Sequence, residues 1–199
     1  MHSPFITFVQ LGFDHILDLN GYDHILFLVA LCAVYTFSAW KKVALLATAF
    51  TIGHSLTLAL SALGIVRFPG EIIEFLIPVT ILLTAIYNVM HKNNGTSENQ
   101  QLIRLNYLFA LAFGLVHGMG FSNFFRSSLM PGEEGQLLTQ LLAFNIGVEL
   151  GQLVIVGLIL GISYVAFNIL KTKQREWVVF VSGAAAGVAL VLMLETKFW

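Results

Sequence analysis

Charge is scarce in this sequence. Only 11% of its 199 residues are Asp, Glu, Lys or Arg, against 57% hydrophobic residues, about half the charge of an ordinary soluble domain. So little charge excludes a conventional water-facing surface and, with a mean hydropathy of +0.83, predicts an integral membrane protein. Cysteine is limited to Cys32, which excludes an intrachain disulfide and a thiolate metal cage. A net charge of −1 excludes the electrostatic footprint of a nucleic-acid partner. The first twenty residues hold no Lys or Arg but carry Asp14 and Asp18, and no small-residue cleavage site follows. A removable signal peptide is therefore not expected, and the run from Tyr22 to Phe37 reads as a retained first span.

Long apolar runs are plentiful. They fall near 22–39, 43–66, 71–91, 104–127, 137–170 and 177–195, most of them with the roughly 20 residues a helix needs to cross about 30 Å of hydrocarbon. The expected fold is an all-α integral membrane protein, a single domain over 1–199. It is a compact bundle of six transmembrane helices preceded by a short interfacial or re-entrant N-terminal segment. The fifth run is long enough to tilt or project, and Pro78 suggests a kink in the third. Lys41, Lys42, Lys92, Arg104, Lys171, Lys173 and Arg175 lie in connections on one side, with Arg67, Arg126 and Lys197 on the other. This bias predicts that both termini face the extracytoplasmic side. The polar stretch 92–103 reads as a flexible linker rather than a domain boundary.

Ionisable residues at membrane depth are costly and point to function. In TAFTIGHSLTL, Thr51, His54 and Ser55 share one helix face, and an intramembrane imidazole needs a partner that its own helix does not offer. In FGLVHGMGF, His117 stands among Gly114, Gly118 and Gly120, which allow another helix or a ligand to approach the ring; an unwound turn there would need protein or a cavity around it. In FNIGVELGQLV, Asn145, Glu149 and Gln152 form one stripe at i, i+4 and i+7. Hydrogen-bond glue between helices accounts for the amides as well as function does, but a buried glutamate must be protonated, paired or bound to a cation.

The letters DHIL occur twice, at 14–17 and 23–26. Asp23 and His24 sit at the outer end of the first span, while Asp14 and His15 lie on the segment before it. Counted from the loops at 1.5 Å per residue, His54, His117 and Glu149 fall between the midplane and the outer leaflet, beneath Asp23 and His24. The expected arrangement is a metal-ligating cluster of Asp23, His24, His54, His117 and Glu149 that opens outward. Asp14, His15, Asn145 and Gln152 would support it, although Asp14 and His15 also suit a solvated interfacial helix. Imidazoles with carboxylates favour Ni²⁺ or Zn²⁺, with Co²⁺ or Fe²⁺ also suited, over Cu⁺. An Asp next to a His commonly orients the ring.

Taken together, GYDHILFLVAL, TIGHSLTL, HGMGF and FNIGVELGQL, in this order, resemble the HupE/UreJ family of small bacterial membrane proteins over essentially the whole chain. The resemblance implies a nickel-type permease in the bacterial cytoplasmic (inner) membrane, with metal candidacy for Asp23, His24, His54, His117 and Glu149. One departure stands out: the HX₄DH signature of nickel permeases places a histidine where this chain has Asp18.

Two readings of the cluster remain open on the sequence. A divalent-metal permease fits the resemblance, yet the inner half of the bundle offers almost no ionisable residue as a relay. An intramembrane zinc hydrolase would leave a metal position for water, with Glu149 or Asp23 as general base and Ser55 at an oxyanion, acting on a lipid, acyl chain or protein. A purely accessory structural subunit is the third and least economical reading. Phenylalanine, spread over all spans, is expected to serve as lipid-facing and packing surface.

Overall fold

The computed structural model of the protein describes residues 3–90, 100–121, 125 and 136–199. Among the described residues seven α-helices succeed one another: α1 (Pro4–Leu17), α2 (Asp23–Cys32), α3 (Trp40–Ala62), α4 (Gly70–Met90), α5 (Gln100–Gly120), α6 (Leu137–Tyr164) and α7 (Gln174–Glu195). No strand occurs among the described residues. A 3₁₀ turn at Phe37–Ala39 leads into α3, and a π-helical turn at Val165–Ile169 prolongs α6. Of the linker expected over 92–103, residues 92–99 lie outside the described residues, as do Arg126 and Pro131, while residues 100–103 are not linker but the first turn of α5.

Four segments are long and apolar enough to cross a membrane: Phe37–Ala62, Gly70–Met90, Leu137–Ile169 and Gln174–Glu195. The other two runs are shorter as apolar helices, at Asp23–Cys32 and Leu105–Gly120. The first departs most from expectation. Its apolar run continues to residue 39, but the helix stops at Cys32, and ten residues of helix rise only about 15 Å. The chain beyond turns through Tyr35, whose N–H donates to the Cys32 carbonyl (2.9 Å), and Thr36 is fully extended. Partners from other helices satisfy this non-helical stretch. Gln174 Nε2 donates to the Val34 carbonyl at 3.2 Å, and Asn106 Nδ2 donates to the Tyr35 hydroxyl at 2.7 Å. Irregular backbone within an apolar bundle needs such partners.

Three helix pairs make the largest contacts: α3 with α5, α1 with α6, and α4 with α7. The short α2 is threaded among α4, α6 and α7. Its Phe27, Leu28, Ala30, Leu31 and Cys32 are all buried, as befits a helix that is apolar all round; the free thiol of Cys32 is packed inside with them. Asn88 of α4 pins this centre, donating through Nδ2 to the Ala30 carbonyl at 2.7 Å and lying 3.4 Å from Ser182 Oγ of α7. Aromatic pairs mark both ends of the bundle. Phe37 meets Tyr164 and Phe167 meets Trp177 at one end, and Phe75 meets Phe198 and Trp199 at the other, the placement typical of the two membrane interfaces.

The two tightest crossings are made through glycine. A Cβ at Gly114 or Gly118 of α5 would collide with the carbonyl oxygens of Phe50 and His54 on α3, and one at Gly53 would collide with Leu111 on α5. Likewise Gly12 of α1 lies against the Phe144 carbonyl and Gly147 of α6 against that of Val9. The N-terminal segment, which the sequence left as interfacial or re-entrant, is therefore a helix laid back on the bundle with Phe8, Gly12 and Ile16 buried. Lipid tails are as apolar as leucine, so close backbone packing is what holds such helices together. Gly114→Ala and Gly12→Ala are each expected to cost about 1–3 kcal/mol, as overpacking does. Gly157→Ala, with nothing within 4 Å of the added methyl, should be neutral or stabilising by about 0.5–1 kcal/mol. Thermal unfolding in detergent distinguishes the two outcomes.

Candidate metal centre

The glycine crossing of α3 and α5 brings His54 and His117 to one level, and α2 adds its first two residues. Asp23 stands in the first turn of α2, where the helix dipole favours a carboxylate, and its Oδ1 accepts from the His24 backbone N–H at 2.8 Å. The same oxygen lies 3.0 Å from His24 Nδ1, while Oδ2 lies 3.3 Å from His117 Nε2. Asp23, His24 and His117 each offer one ligand atom, all within 4.8 Å of one another. A metal with bonds of about 2.0–2.1 Å holds donors no more than about 4.2 Å apart, so only small side-chain rotations separate this trio from a coordinating geometry.

Two further imidazoles crowd the trio. The His15 ring of α1 is 4.7 Å from that of His24 and 6.2 Å from that of His54, and the His24 and His117 rings are 4.2 Å apart. Buried nitrogens on all four rings, at His15 Nε2, His24 Nε2, His54 Nε2 and His117 Nδ1 among them, have no hydrogen-bond partner among the described residues. Buried polar atoms are nearly always paired. Four histidines with spare lone pairs around one carboxylate form a donor set that fits a divalent transition metal.

His54 shows how such a lone pair is prepared. Asn145 on α6 donates through Nδ2 to the Leu141 carbonyl at 2.7 Å, which turns its Oδ1 toward His54 Nδ1, 3.2 Å away. An amide oxygen only accepts, so Nδ1 of His54 carries the proton and Nε2 is left with a free lone pair. Second-layer hydrogen bonds of this kind fix the tautomer of metal-binding histidines.

Phenylalanine walls the cluster. Phe50 stacks on His54 at 5.8 Å, Phe113 meets His117 at 4.0 Å and Phe121 meets His15 at 3.8 Å. Phe27 and Phe113 stack face to face, 3.5 Å apart and 8° from parallel, one helical turn inward of Asp23 and His117. These rings are packing surface, as expected of phenylalanine, and here they also line the site. At one end of the bundle, a cavity of about 390 Å³ lined by Tyr22, Asp23, Glu74, Ile77 and Thr196 reaches Asp23, whose side chain is 25% exposed.

Other residues singled out in the sequence lie elsewhere. Glu149 is outside the Asp23–His24–His117 group and accepts from Thr48 Oγ1 of α3 at 2.6 Å. Gln152 accepts from Thr51 Oγ1 at 3.0 Å. Ser55 Oγ donates to the carbonyl of Thr51 on its own helix at 2.6 Å, so its hydroxyl proton is already committed. Asp14 is exposed, whereas its neighbour His15 faces inward. Thr48 and Glu74 drew no notice in the sequence, where a lone threonine on an apolar helix or an acid near a loop carries no signal. The energetics of Glu149 are unusual. An interhelical hydrogen bond in a membrane is worth about 0.6 kcal/mol on average, while an acidic side chain at the centre of a membrane helix costs about 2.5–3.5 kcal/mol. Glu149 is half-buried and so bears part of that cost, against which the Thr48 bond is small.

Helices of this length and apolarity around a group of His and Asp side chains define an α-helical membrane protein with a candidate metal site. The profile of the family described as HupE / UreJ protein matches residues 1–197, and the chain belongs to that family. Neither the curated proteins nor the solved structures gave a match. The tautomer deduced for His54 is directly observable. In metal-free protein labelled with ¹⁵N-histidine, NMR is expected to show His54 protonated on Nδ1, and Asn145→Leu should abolish that preference; an Nε2-protonated ring in the unaltered chain would refute the assignment.

Proposed function

We propose that the protein is a permease for a divalent transition metal of the nickel type, which it captures at Asp23, His24 and His117 with His54 and His15 beside them. The observation that carries this reading is the gathering of one carboxylate, which lines a cavity of about 390 Å³, with four imidazoles that each keep an unpartnered buried ring nitrogen. The bundle crosses the bacterial inner membrane six times, with both termini extracytoplasmic. Support for α2 as a full crossing comes from its two ends. Residues 20–23 share a cavity with Thr196 at one end of α7, and Val34 is bonded to Gln174 at the other, so this segment covers the depth of a 22-residue helix. The distribution of Lys and Arg supports the orientation, and Glu74 beside Asp23 supplies negative charge at the mouth that attracts cations.

A hydrolase finds less support. Ser55 is bonded back to its own helix, and of the two candidate bases Glu149 is bonded to Thr48 while Asp23 is engaged by His24 and His117.

A permeation site must release its ion, so titration of the detergent-purified protein with Ni²⁺ or Co²⁺ is expected to show weak, reversible binding, with little metal retained by elemental mass spectrometry. His117→Ala and Asp23→Asn should each weaken binding at least 100-fold, and Asn145→Leu about 10–100-fold through the lost orientation of His54. Unchanged binding in His117→Ala would refute the site. A tightly held, stoichiometric zinc that survives purification would instead favour the hydrolase.

A further inference from the structure

Beneath the trio the direct way inward is closed. Phe27 of α2 and Phe113 of α5 are stacked 3.5 Å apart, both with about 1% of their surface exposed, and a hydrated or partly stripped cation finds no donor there. Polar groups continue inward at one side, between α3 and α6. Three rungs connect these helices: His54 with Asn145 (3.2 Å), Thr51 with Gln152 (3.0 Å) and Thr48 with Glu149 (2.6 Å). Along α3 the rungs span about 9 Å from His54 to Thr48 at 1.5 Å per residue, and because α6 runs the opposite way the lower two cross, Thr51 reaching inward to Gln152 and Thr48 back to Glu149. The top rung belongs to a histidine of the cluster, and the crossed pair carries the chain's carboxylate on α6. Farther along, a cavity of about 520 Å³ lies at the bundle's other end, lined by Thr36, Ser38, Tyr164, Asn168 and Gln174, at the base of α3 and the π-helical end of α6.

We infer that the polar ladder between α3 and α6 is the inward path of the cation, and that Glu149, with the Thr48 hydroxyl and the Gln152 amide, is a second and separate binding station on it. This rests on the permease reading. His54 passes the ion sideways around the Phe27–Phe113 stack. Oxygen donors then replace nitrogen donors, and because borderline transition metals bind imidazole more strongly than carboxylate, amide and hydroxyl oxygens, the inner station holds the ion less tightly and favours release to the cytoplasm.

The test uses the full chain reconstituted in liposomes, with Ni²⁺ entry followed by an internal metal-sensitive dye, alongside Ni²⁺ titration in detergent. Glu149→Gln keeps the size and an acceptor for Thr48. It is expected to bind Ni²⁺ at the outer cluster within twofold of the unaltered protein while entry falls at least tenfold. Glu149→Gln with undiminished entry overturns the ladder and leaves the outer site standing. Loss of binding together with entry overturns the separate station by assigning Glu149 to the cluster itself. Should Glu149→Gln not fold, the nearly isosteric Thr48→Val answers by the same two readouts, with retained binding and reduced entry expected and unchanged entry overturning the proposal. Failure of the unaltered protein to admit Ni²⁺ while it still binds the ion removes the permease reading and the ladder with it.

Discussion

The architecture depends on the backbone contact of α3 and α5. His54 and His117 sit on different helices, and their rings share one chamber only because Gly53, Gly114 and Gly118 let the two main chains touch. With ordinary side chains the axes would stand 8–10 Å apart, and each imidazole would need its own polar partner in an apolar surrounding. The same contact orders the hydroxyls nearby: Thr57 Oγ1 donates to the Leu115 carbonyl across the crossing at 2.8 Å. At Gly118 a methyl would strike both the His54 carbonyl and the Thr57 hydroxyl. The glycines around His117 do not unwind α5, which stays helical through Gly120; they thin it.

A second crossing of the same kind supplies the remaining histidine. Gly12 and Gly147 seat α1 on α6, and one turn beyond Gly12 the chain presents His15 to the cluster while Asp14 faces outward. The repeated DHIL thus has two different outcomes. In the second copy the acid turns inward and the histidine with it, because Asp23 begins a helix and its carboxylate can fold back over the first-turn N–H groups. In the first copy the acid lies on the outer face of a helix that is already formed, and only the histidine reaches the site.

Much of this was legible in the sequence, for reasons that depend on the bilayer. A histidine or glutamate in an apolar run is conspicuous, so His24, His54, His117, Asp23 and Glu149 announced themselves without knowledge of the fold. Depth could be counted from the loops, since a straight helix converts residue number into height. The register of one helix against another could not. Glu149 and His54 lie at similar heights by count, yet α6 is set against α3 so that His54 meets Asn145 while Glu149 meets Thr48, about 9 Å farther along α3. Thr48 was invisible because threonines in such helices usually bond to their own carbonyls, as Thr48 also does with Ala44 at 3.2 Å. The length of α2 was misjudged for a related reason. Hydropathy registers that residues 33–39 are apolar, but the end of a helix is set by the partners that receive its carbonyls, here Gln174 from the far end of the chain.

The donor set also constrains which ions the outer chamber can take. Mg²⁺ demands near-ideal octahedral oxygen and keeps several waters, and Ca²⁺ takes six to eight oxygens; a dry, phenylalanine-walled chamber with a single carboxylate offers neither. Borderline transition metals accept imidazole nitrogen and need few ligands, so the aromatic walls discriminate against hard cations as much as the histidines select for softer ones. In the proposed permease, the Asp23 charge against a divalent ion leaves the trio net positive, which limits how deeply the ion is bound in a low dielectric and favours release. On the inward route proposed above, the further carboxylate of Glu149 stands on another helix, bonded to Thr48, and gives that route its second donor station.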